Sequence, residues 1–475
     1  MPIPVITIAQ MRDWEKATWA SGQTEAEVIR RVGKCVAGHA LRLTRPDDLI
    51  VILAGKGHNG EDARCAQDHL TQRRVDLIDV KDPAADYSKL DAVLSLNPDL
   101  VIDGLFGIGI NRPLSPEWIR FMERVNANGA KVLAVDVPSG LNGDTGEPQG
   151  TAIRAAVTLT VGAPKVGMLR ESAWPFVGRL EVATEVGLIT CPLKSELNWS
   201  LTEDFCGFPP ARPVATHKGT YGHVCIIAGS VGYHGASVLA ARGAQRAQPG
   251  LITLHTQEGA YHPVASQLQA VMVSPWKREA DLSAYTAILI GPGLAAVDLP
   301  DDVRKLTSEH WRNSKVPIIV DASALAWLPP GRVPENALRL ITPHPGEAGR
   351  LLGTTSKEVQ GDRLKSLRRL SERYGNTWVV LKGHQTLIGR SSGDVFVNSS
   401  GNPHLAQGGS GDLFSGYLAG LLAQPALQED PLKTICYAVW QHGAAADRLQ
   451  NKRQNWVIED LVEELGGRNA ALILP

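Results

Sequence analysis

Short β-branched runs, many of them closed by Gly, Asp or Pro, recur along this chain in two series. The first comprises Leu49–Ala54 (LIVILA), Leu100–Asp103, Val132–Val137, Val157–Val161 and Leu180–Val182. The second comprises Val224–Ala228, Leu251–His255, Ala287–Ile290, Pro317–Val320, Leu338–Ile341 and Trp378–Leu381. Runs so short and so continuously apolar predict strands buried on both faces of a parallel sheet. Parallel neighbours require crossover helices, and an open sheet of this kind holds its ligands at the carboxyl ends of its strands. Between the series, Thr190–Pro213 is irregular and proline-rich and reads as a linker plus a lead-in. The expected organisation is therefore α/β throughout, with one domain over 1–200 and a second over 201–475.

Composition removes several functional classes. The formal net charge of -1 carries no basic footprint for nucleic acid. The cysteines Cys35, Cys65, Cys191, Cys206, Cys225 and Cys436 form no C-x-x-C pair, which argues against a zinc site or a disulfide framework. No apolar run is long enough to span a bilayer, and the N-terminus MPIPVITIAQMRDWEK has no signal-peptide pattern. The expectation is a cytosolic enzyme without nucleic-acid or membrane partners.

In the second half, Gly408-Gly409-Ser410-Gly411-Asp412 runs into LFSGYLAGLLAQ, whose apolar residues recur at helical spacing. Glycines at a helix N-terminus make an anion site from unpaired N–H groups and the helix dipole. Asp412 at its mouth can accept a proton from a hydroxyl that attacks a phosphoryl group. Taken alone, the same residues also read as a glycine turn with an Asp cap. Other strand ends add Gly229-Ser230, Gly291-Pro292-Gly293, Asp321, Thr342-Pro343-His344-Pro345-Gly346-Glu347 and Lys382-Gly383-His384-Gln385-Thr386.

With these motifs in this order, the segment from His217 to about Leu449 resembles the ADP- or ATP-dependent NAD(P)H-hydrate dehydratases, a ribokinase-like family. The resemblance implies that Lys382, Gly383, His384, Gln385, Thr386, Gly409, Ser410 and Gly411 hold the nucleotide, ADP or ATP, with Mg²⁺. It implies that Ala236, Gly293, His344 and Asp412 contact the hydrated NADH or NADPH, and that Asp412 is catalytic. Gln248-Pro249-Gly250 stands where the family usually has Gly-Ala-Gly, and Ser266–Ala270 departs from its usual Pro-Glu; both differences are expected to alter the substrate side.

In the first half, Gly55-Lys56-Gly57-His58-Asn59-Gly60-Glu61-Asp62-Ala63, Asp103-Gly104-Leu105-Phe106-Gly107-Ile108-Gly109-Ile110-Asn111-Arg112-Pro113 and Asp136-Val137-Pro138-Ser139-Gly140 each follow a strand, and Gly162-Ala163-Pro164-Lys165 comes later. Hard oxygen donors converging in this way suit an alkali or alkaline-earth cation, or else cap turns and helices. From Ile8 to Gly187 the chain resembles the NAD(P)H-hydrate epimerases, which are Rossmann-like three-layer αβα proteins. The resemblance implies K⁺ on Asn59, Asp103 and Ser139, and substrate phosphates against His58, Asn59, Gly60, Glu61 and Asp62 and against Gly107, Ile108, Gly109, Ile110, Asn111, Arg112 and Pro113. It makes Asp136 the substrate-contacting proton-transfer residue. It also implies self-association.

His58, Glu61 and Ala63 depart from the family loop Gly-x-Gly-Asn-Asn-Gly-Gly-Asp-Gly. Glu61 is expected to repel a pyrophosphate and, if its position needs a positive φ, to be strained. A weakened epimerase is one expectation and an active one the other. Two alternatives to a repair enzyme remain at this point. One is a ribokinase-like small-molecule kinase with a non-catalytic N-terminal domain, and the other is a wholly non-catalytic protein.

Overall fold

The structure, a computed structural model, describes residues 2–277 and 282–467. The chain forms two compact units, Ile3–Ser195 and a second from Glu196 onward.

The first unit is a parallel sheet of β1 (Leu49–Ala54), β2 (Arg74–Asp79), β3 (Leu100–Gly104), β4 (Lys131–Val135), β5 (Val157–Val161) and β6 (Arg179–Ala183), in the order β2-β1-β3-β4-β5-β6. Successive residues of a strand point to opposite faces, so each strand feeds two cores. Ile50, Ile52, Leu100 and Ile102 pack under helix α2 (Glu25–Leu43) and helix α3 (His58–Gln67). Val51, Leu53 and Val101 pack under α4 (Tyr87–Leu94) and α5 (Pro116–Asn126), against Leu90 and Phe121. The result is three layers, helix on sheet on helix. Helix α1 (Ile8–Ala20) begins at Thr7 with a reciprocal cap, Gln10 N–H donating to Thr7 Oγ1 at 3.2 Å and Thr7 N–H to Gln10 Oε1 at 2.8 Å.

The second unit has the strands β7 (Leu197–Trp199), β8 (His223–Ile227), β9 (Leu251–Thr256), β10 (Met272–Pro275), β11 (Ala287–Ile290), β12 (Ile318–Val320), β13 (Arg339–Ile341), β14 (Trp378–Leu381), β15 (Leu387–Gly389) and β16 (Val395–Val397). Their order is β7-β16-β15-β14-β13-β12-β11-β8-β9-β10. From β10 to β14 all pairings are parallel, and β14–β15–β16 is an antiparallel meander. Helices α6 (His234–Ala247), α7 (Pro345–Leu352), α8 (Arg363–Arg373), α9 (Ser410–Leu422) and α10 (Pro431–Lys452) complete the elements used below. Helices α6 and α9 lie backbone to backbone. A Cβ on Gly416 would meet the Ala240 carbonyl oxygen at 1.9 Å, so only glycine fits this crossing.

The chain reverses direction across the sheet between β8 and β11 in the second unit, and between β1 and β3 in the first. Such switch points leave a crevice outside the strand ends. All the expected strands are present, and the sequence reading missed β2, β7, β10, β15 and β16. Their pattern explains this. Arg74–Asp79 (RVDLID) alternates polar and apolar at a sheet edge, and β15 and β16 are three-residue hairpin arms. Within the segment read as a linker, Leu197–Trp199 pairs in parallel with Val395–Val397.

The differences at Gln248–Gly250 and Ser266–Ala270 do not alter the substrate side. Both immediately precede strands, at the amino edge of the parallel sheet, opposite its ligand edge. Gln248 caps α6 in the left-handed region (φ 59°, ψ 45°), which costs a non-glycine residue free energy. Gln248→Gly is expected to stabilise the second unit by about 0.5 kcal/mol, the relief of strain exceeding the gain in unfolded-chain entropy. The midpoint of its denaturant unfolding checks this, and an unchanged or lower midpoint refutes it.

Candidate functional sites

Every expected residue of the second unit lies on a loop that leaves a carboxyl strand end or on a helix N-terminus. Gly409 takes φ 91° immediately before α9, a conformation that glycine adopts without strain. Ser410 N–H donates to the Gln407 carbonyl at 3.3 Å, and the amides of Gly411 and Asp412 open the first turn of a helix that is otherwise almost wholly buried. Lys382, one residue past β14, reaches the same place. Its Nζ lies 3.4 Å from where a Cβ on Gly411 would stand, 2.8 Å from Asp321 Oδ1 and 4.0 Å from Glu347 Oε2. Burial works against the Lys382 charge, but Asp321 and Glu347 outweigh it and raise its affinity for a proton. Asp412 is pushed up to about 6, first by burial, then by Asp321 and Glu347, with Lys382 opposing. A cation, a raised carboxyl and open amides therefore share one small volume.

The loop Lys382–Thr386 is braced from behind. Arg363 on α8 donates to the carbonyls of Leu381 (3.1 Å), Gln385 (3.3 Å) and His384. Gln385 sits at φ 53°, and both atoms of its side-chain amide are buried without a hydrogen-bond partner. An orphaned amide of this kind marks a place where a polar ligand group fits. His344 caps α7, its Nδ1 accepting from Gly346 N–H at 3.0 Å, and burial favours its neutral ring. At the switch point, Gly229 N–H donates to the Pro292 carbonyl at 2.8 Å, and Ala236 Cβ lies 2.9 Å from where a Cβ on Gly293 would stand. Asp321 and Glu347, noted in the sequence only as parts of motifs, are the groups that set the charge here. A carboxylate after one strand and a lysine after another signal such a pair only once the order β12-β13-β14 is known.

The switch point of the first unit opens into a cavity of about 1030 Å³ lined by Gly55–Asn59, Asp62, Leu105–Ser115 and Asp136, together with Arg12 and Glu15 of α1 and Lys81 beyond β2. Asp103 is fully buried beneath it. Its carboxylate accepts from Ser139 Oγ (2.6 Å) and Ser139 N–H (2.8 Å), and burial pushes its carboxyl up to about 6 against those bonds. Asn59 Nδ2 donates to the Phe106 carbonyl at 2.8 Å, while Asn59 Oδ1 is buried and accepts nothing. The Asn59, Asp103 and Ser139 oxygens therefore fit an alkali cation, which would satisfy the orphaned Oδ1 and compensate the buried carboxylate. His58 lies 3.1 Å from Glu25 Oε1, and both line the cavity.

One expectation about the loop after β1, strain at Glu61, is overturned. Gly60 and Glu61 are not among the residues that line the cavity. Residues 58–67 are already helix, so Glu61 has no positive φ and no strain, and its side chain is exposed. Ala63 is buried against Gly104, filling space a glycine would leave open. Asp62 does face the cavity, held well above the usual carboxylate range first by burial and then by Asp136 and Glu61.

A glycine nest with a carboxylate and a lysine, at the ligand edge of a ribokinase-like sheet, defines an enzyme that works on a nucleotide-bound phosphoryl group. A Rossmann-like unit with its own acidic cavity precedes it. The NAD(P)H-hydrate dehydratase family matches residues 224–465, and the YjeF-related protein N-terminus family matches residues 78–167, beginning beyond the altered loop. The chain is 33% identical to the bifunctional NAD(P)H-hydrate repair enzyme Nnr of Gloeobacter violaceus, covering 94% of this chain and 93% of that one. It is 33% identical to the enzyme of the same name from Coxiella burnetii, covering 92% and 93%. A ribokinase-like superfamily protein of known structure from Enterococcus faecalis superposes with a TM-score of 0.50 at 25% identity, covering 58% of this chain and 95% of that one. The chain belongs to the bifunctional NAD(P)H-hydrate repair enzymes. The kinase and non-catalytic readings are set aside.

Proposed function

We propose that the second unit dehydrates the 6S hydrate of NADH or NADPH at the expense of ADP or ATP, and that the first unit interconverts the 6R and 6S hydrates. The observation that carries the first half is the meeting of Lys382 and Asp412 at the open amides of α9. Hydroxide is a poor leaving group. Asp412 takes the proton of the C6 hydroxyl as that oxygen attacks the terminal phosphorus and the bond to the leaving phosphate breaks; the ring nitrogen then expels the new phosphate from C6, and loss of a proton from C5 forms the C5–C6 double bond of NADH or NADPH. Ser410, the amide of Gly411 and the ammonium of Lys382 hold the phosphates, and Gly383, His384, Gln385 and Thr386 hold the rest of the nucleotide. Ala236, Gly293 and His344 flank the hydrate. Mg²⁺ would arrive bound to the nucleotide and supply charge neutralisation there.

In the first unit Asp136 takes the hydroxyl proton as the C6–N1 bond opens with its electron pair on N1. It passes the proton to N1, and ring closure on the other face of C6 returns it to oxygen. Arg12, Lys56, Lys81 and Arg112 supply the positive charge that the phosphates need, and the cavity wall Gly107–Pro113 surrounds them. K⁺ would be held by Asn59, Asp103 and Ser139. Epimerisation is expected to run severalfold faster in K⁺ than in Li⁺, and Asn59→Leu to lose that difference; an Asn59→Leu enzyme that still distinguishes the two ions refutes the site. Among the described residues no helix is long and apolar enough to cross a membrane. A cytosolic location and self-association complete the reading, and sedimentation of the full chain tests the second.

The deciding assay supplies a mixture of hydrates with Mg²⁺ and ADP or ATP and follows NADH absorbance. Nucleotide-dependent recovery that consumes both epimers is expected. A phosphorylated hydrate that accumulates without NADH overturns the reading.

A further inference from the structure

We infer that Lys165 is a positioning residue of the first site, tying down one oxygen of Asp136 so that the other alone faces substrate. This rests on the reading of Asp136 as the proton-transfer group.

Lys165 is fully buried, and its ammonium has an acceptor for each of its three hydrogens. These are Asp136 Oδ1 at 2.5 Å, Thr160 Oγ1 at 2.9 Å and the Val161 carbonyl at 3.0 Å. A buried ammonium is costly to hold, and this one is fully paired. Its backbone is pinned as well. Ile6, itself buried, donates to the Pro164 carbonyl and accepts from Val166 N–H, both at 2.9 Å, so the residues on either side of Lys165 are fixed.

Among the described residues, the hydrogen bonds to the Asp136 side chain fall on one atom. Oδ1 accepts from Lys165, from Val161 N–H at 3.1 Å and from the Thr160 hydroxyl at 3.2 Å. Among the described residues nothing donates to Oδ2, although Asp136 lines the cavity. The backbone of Asp136 sits at φ 62°, a left-handed conformation that costs a non-glycine residue, and is held there by Asp136 N–H donating to the Leu159 carbonyl at 2.8 Å. Strain at this residue aims the carboxylate, and Lys165 fixes its rotation. Glu15 and Asp62 lie within electrostatic reach of Asp136, and Lys165 is the cation in contact with it. A carboxylate that must take a proton and return it gains from fixed geometry, because small displacements of a reacting group are costly to rate.

The test measures epimerisation of pure 6R hydrate without nucleotide, with the spontaneous rate subtracted, for Lys165→Met, Asp136→Asn, the double variant and Thr160→Val. Lys165→Met is expected to lower kcat on the order of 10²-fold with KM changed less than about threefold. Asp136→Asn/Lys165→Met is expected to be no slower than Asp136→Asn, since a residue that acts through Asp136 has nothing to act on once the base is gone. A purely structural lysine gives multiplicative losses, and that result overturns the inference, as does Lys165→Met at near wild-type rate beside an inactive Asp136→Asn. Full activity in Asp136→Asn instead sinks the underlying reading of Asp136. If Lys165→Met shows no melting transition, Thr160→Val decides: it removes the hydroxyl bonded to both Lys165 and Asp136, a kcat about tenfold lower supports the positioning role, and an unchanged kcat overturns it.

Discussion

Asp412→Ala is expected to abolish nucleotide-dependent recovery of NADH from its hydrate, by about 10³-fold or more in kcat, while epimerisation in the first unit continues unchanged. A positioned general base contributes roughly 10²–10⁴ to rate. Asp412 combines that role with a place in the first turn of α9, beside the amides that receive the phosphates. Absorbance of NADH with ADP or ATP and Mg²⁺ measures the first effect, and chromatographic separation of the hydrates without nucleotide measures the second. A loss of less than tenfold removes Asp412 from the chemistry.

The pH dependence follows with a definite sign. Burial, reinforced by Asp321 and Glu347, raises the Asp412 carboxyl from its ordinary value of 3.8 to about 6. Only the carboxylate accepts a proton, so dehydration falls roughly tenfold per unit as pH drops below about 6. The folded protein binds this proton more readily than the unfolded chain, so between about pH 4 and 6 protonation of Asp412 favours the fold and stability from this group is lost as pH rises. Activity and this contribution to stability therefore change in opposite directions across the same window.

How far the sequence could be read depended on whether the determining contact was local. LIVILA and AILI announce central strands because every position is apolar, and Gly409 and Asp412 announce a helix-borne anion site because the turn and the helix adjoin in sequence. RVDLID hides its strand, since an edge position tolerates charge on alternate residues. The Lys382–Asp321 contact joins residues on strand ends brought together only by the order β12-β13-β14, and Lys165 meets Asp136 only because β4 and β5 are neighbours. Glu61 shows the reverse: the motif suggested a strained loop residue, whereas helix α3 begins at His58 and holds Glu61 in ordinary helical backbone with its side chain exposed.

Lys382→Met is expected to cost both stability and activity, and a second substitution separates the two. Asp321 is 1% exposed and its carboxylate is paired to Lys382 at 2.8 Å. Removing the ammonium leaves a buried carboxylate without its partner, which typically costs about 3–5 kcal/mol. The midpoint of denaturant unfolding of the second unit should fall accordingly. Lys382→Met/Asp321→Asn removes both charges, and most of that loss should return. Activity should not return with it. The ammonium also lowers the proton affinity of Asp412 and faces the phosphates, so both variants should be slower by about 10²–10³-fold. Their acid limb should lie above pH 6 in Lys382→Met, where Asp321 and Glu347 act on Asp412 unopposed. In the double variant it should move back down, because one of the two repelling carboxylates is gone. Recovery of full activity in the double variant would mean that Lys382 serves only to neutralise Asp321. Recovery of stability without rate would place its charge on the phosphoryl group in transit.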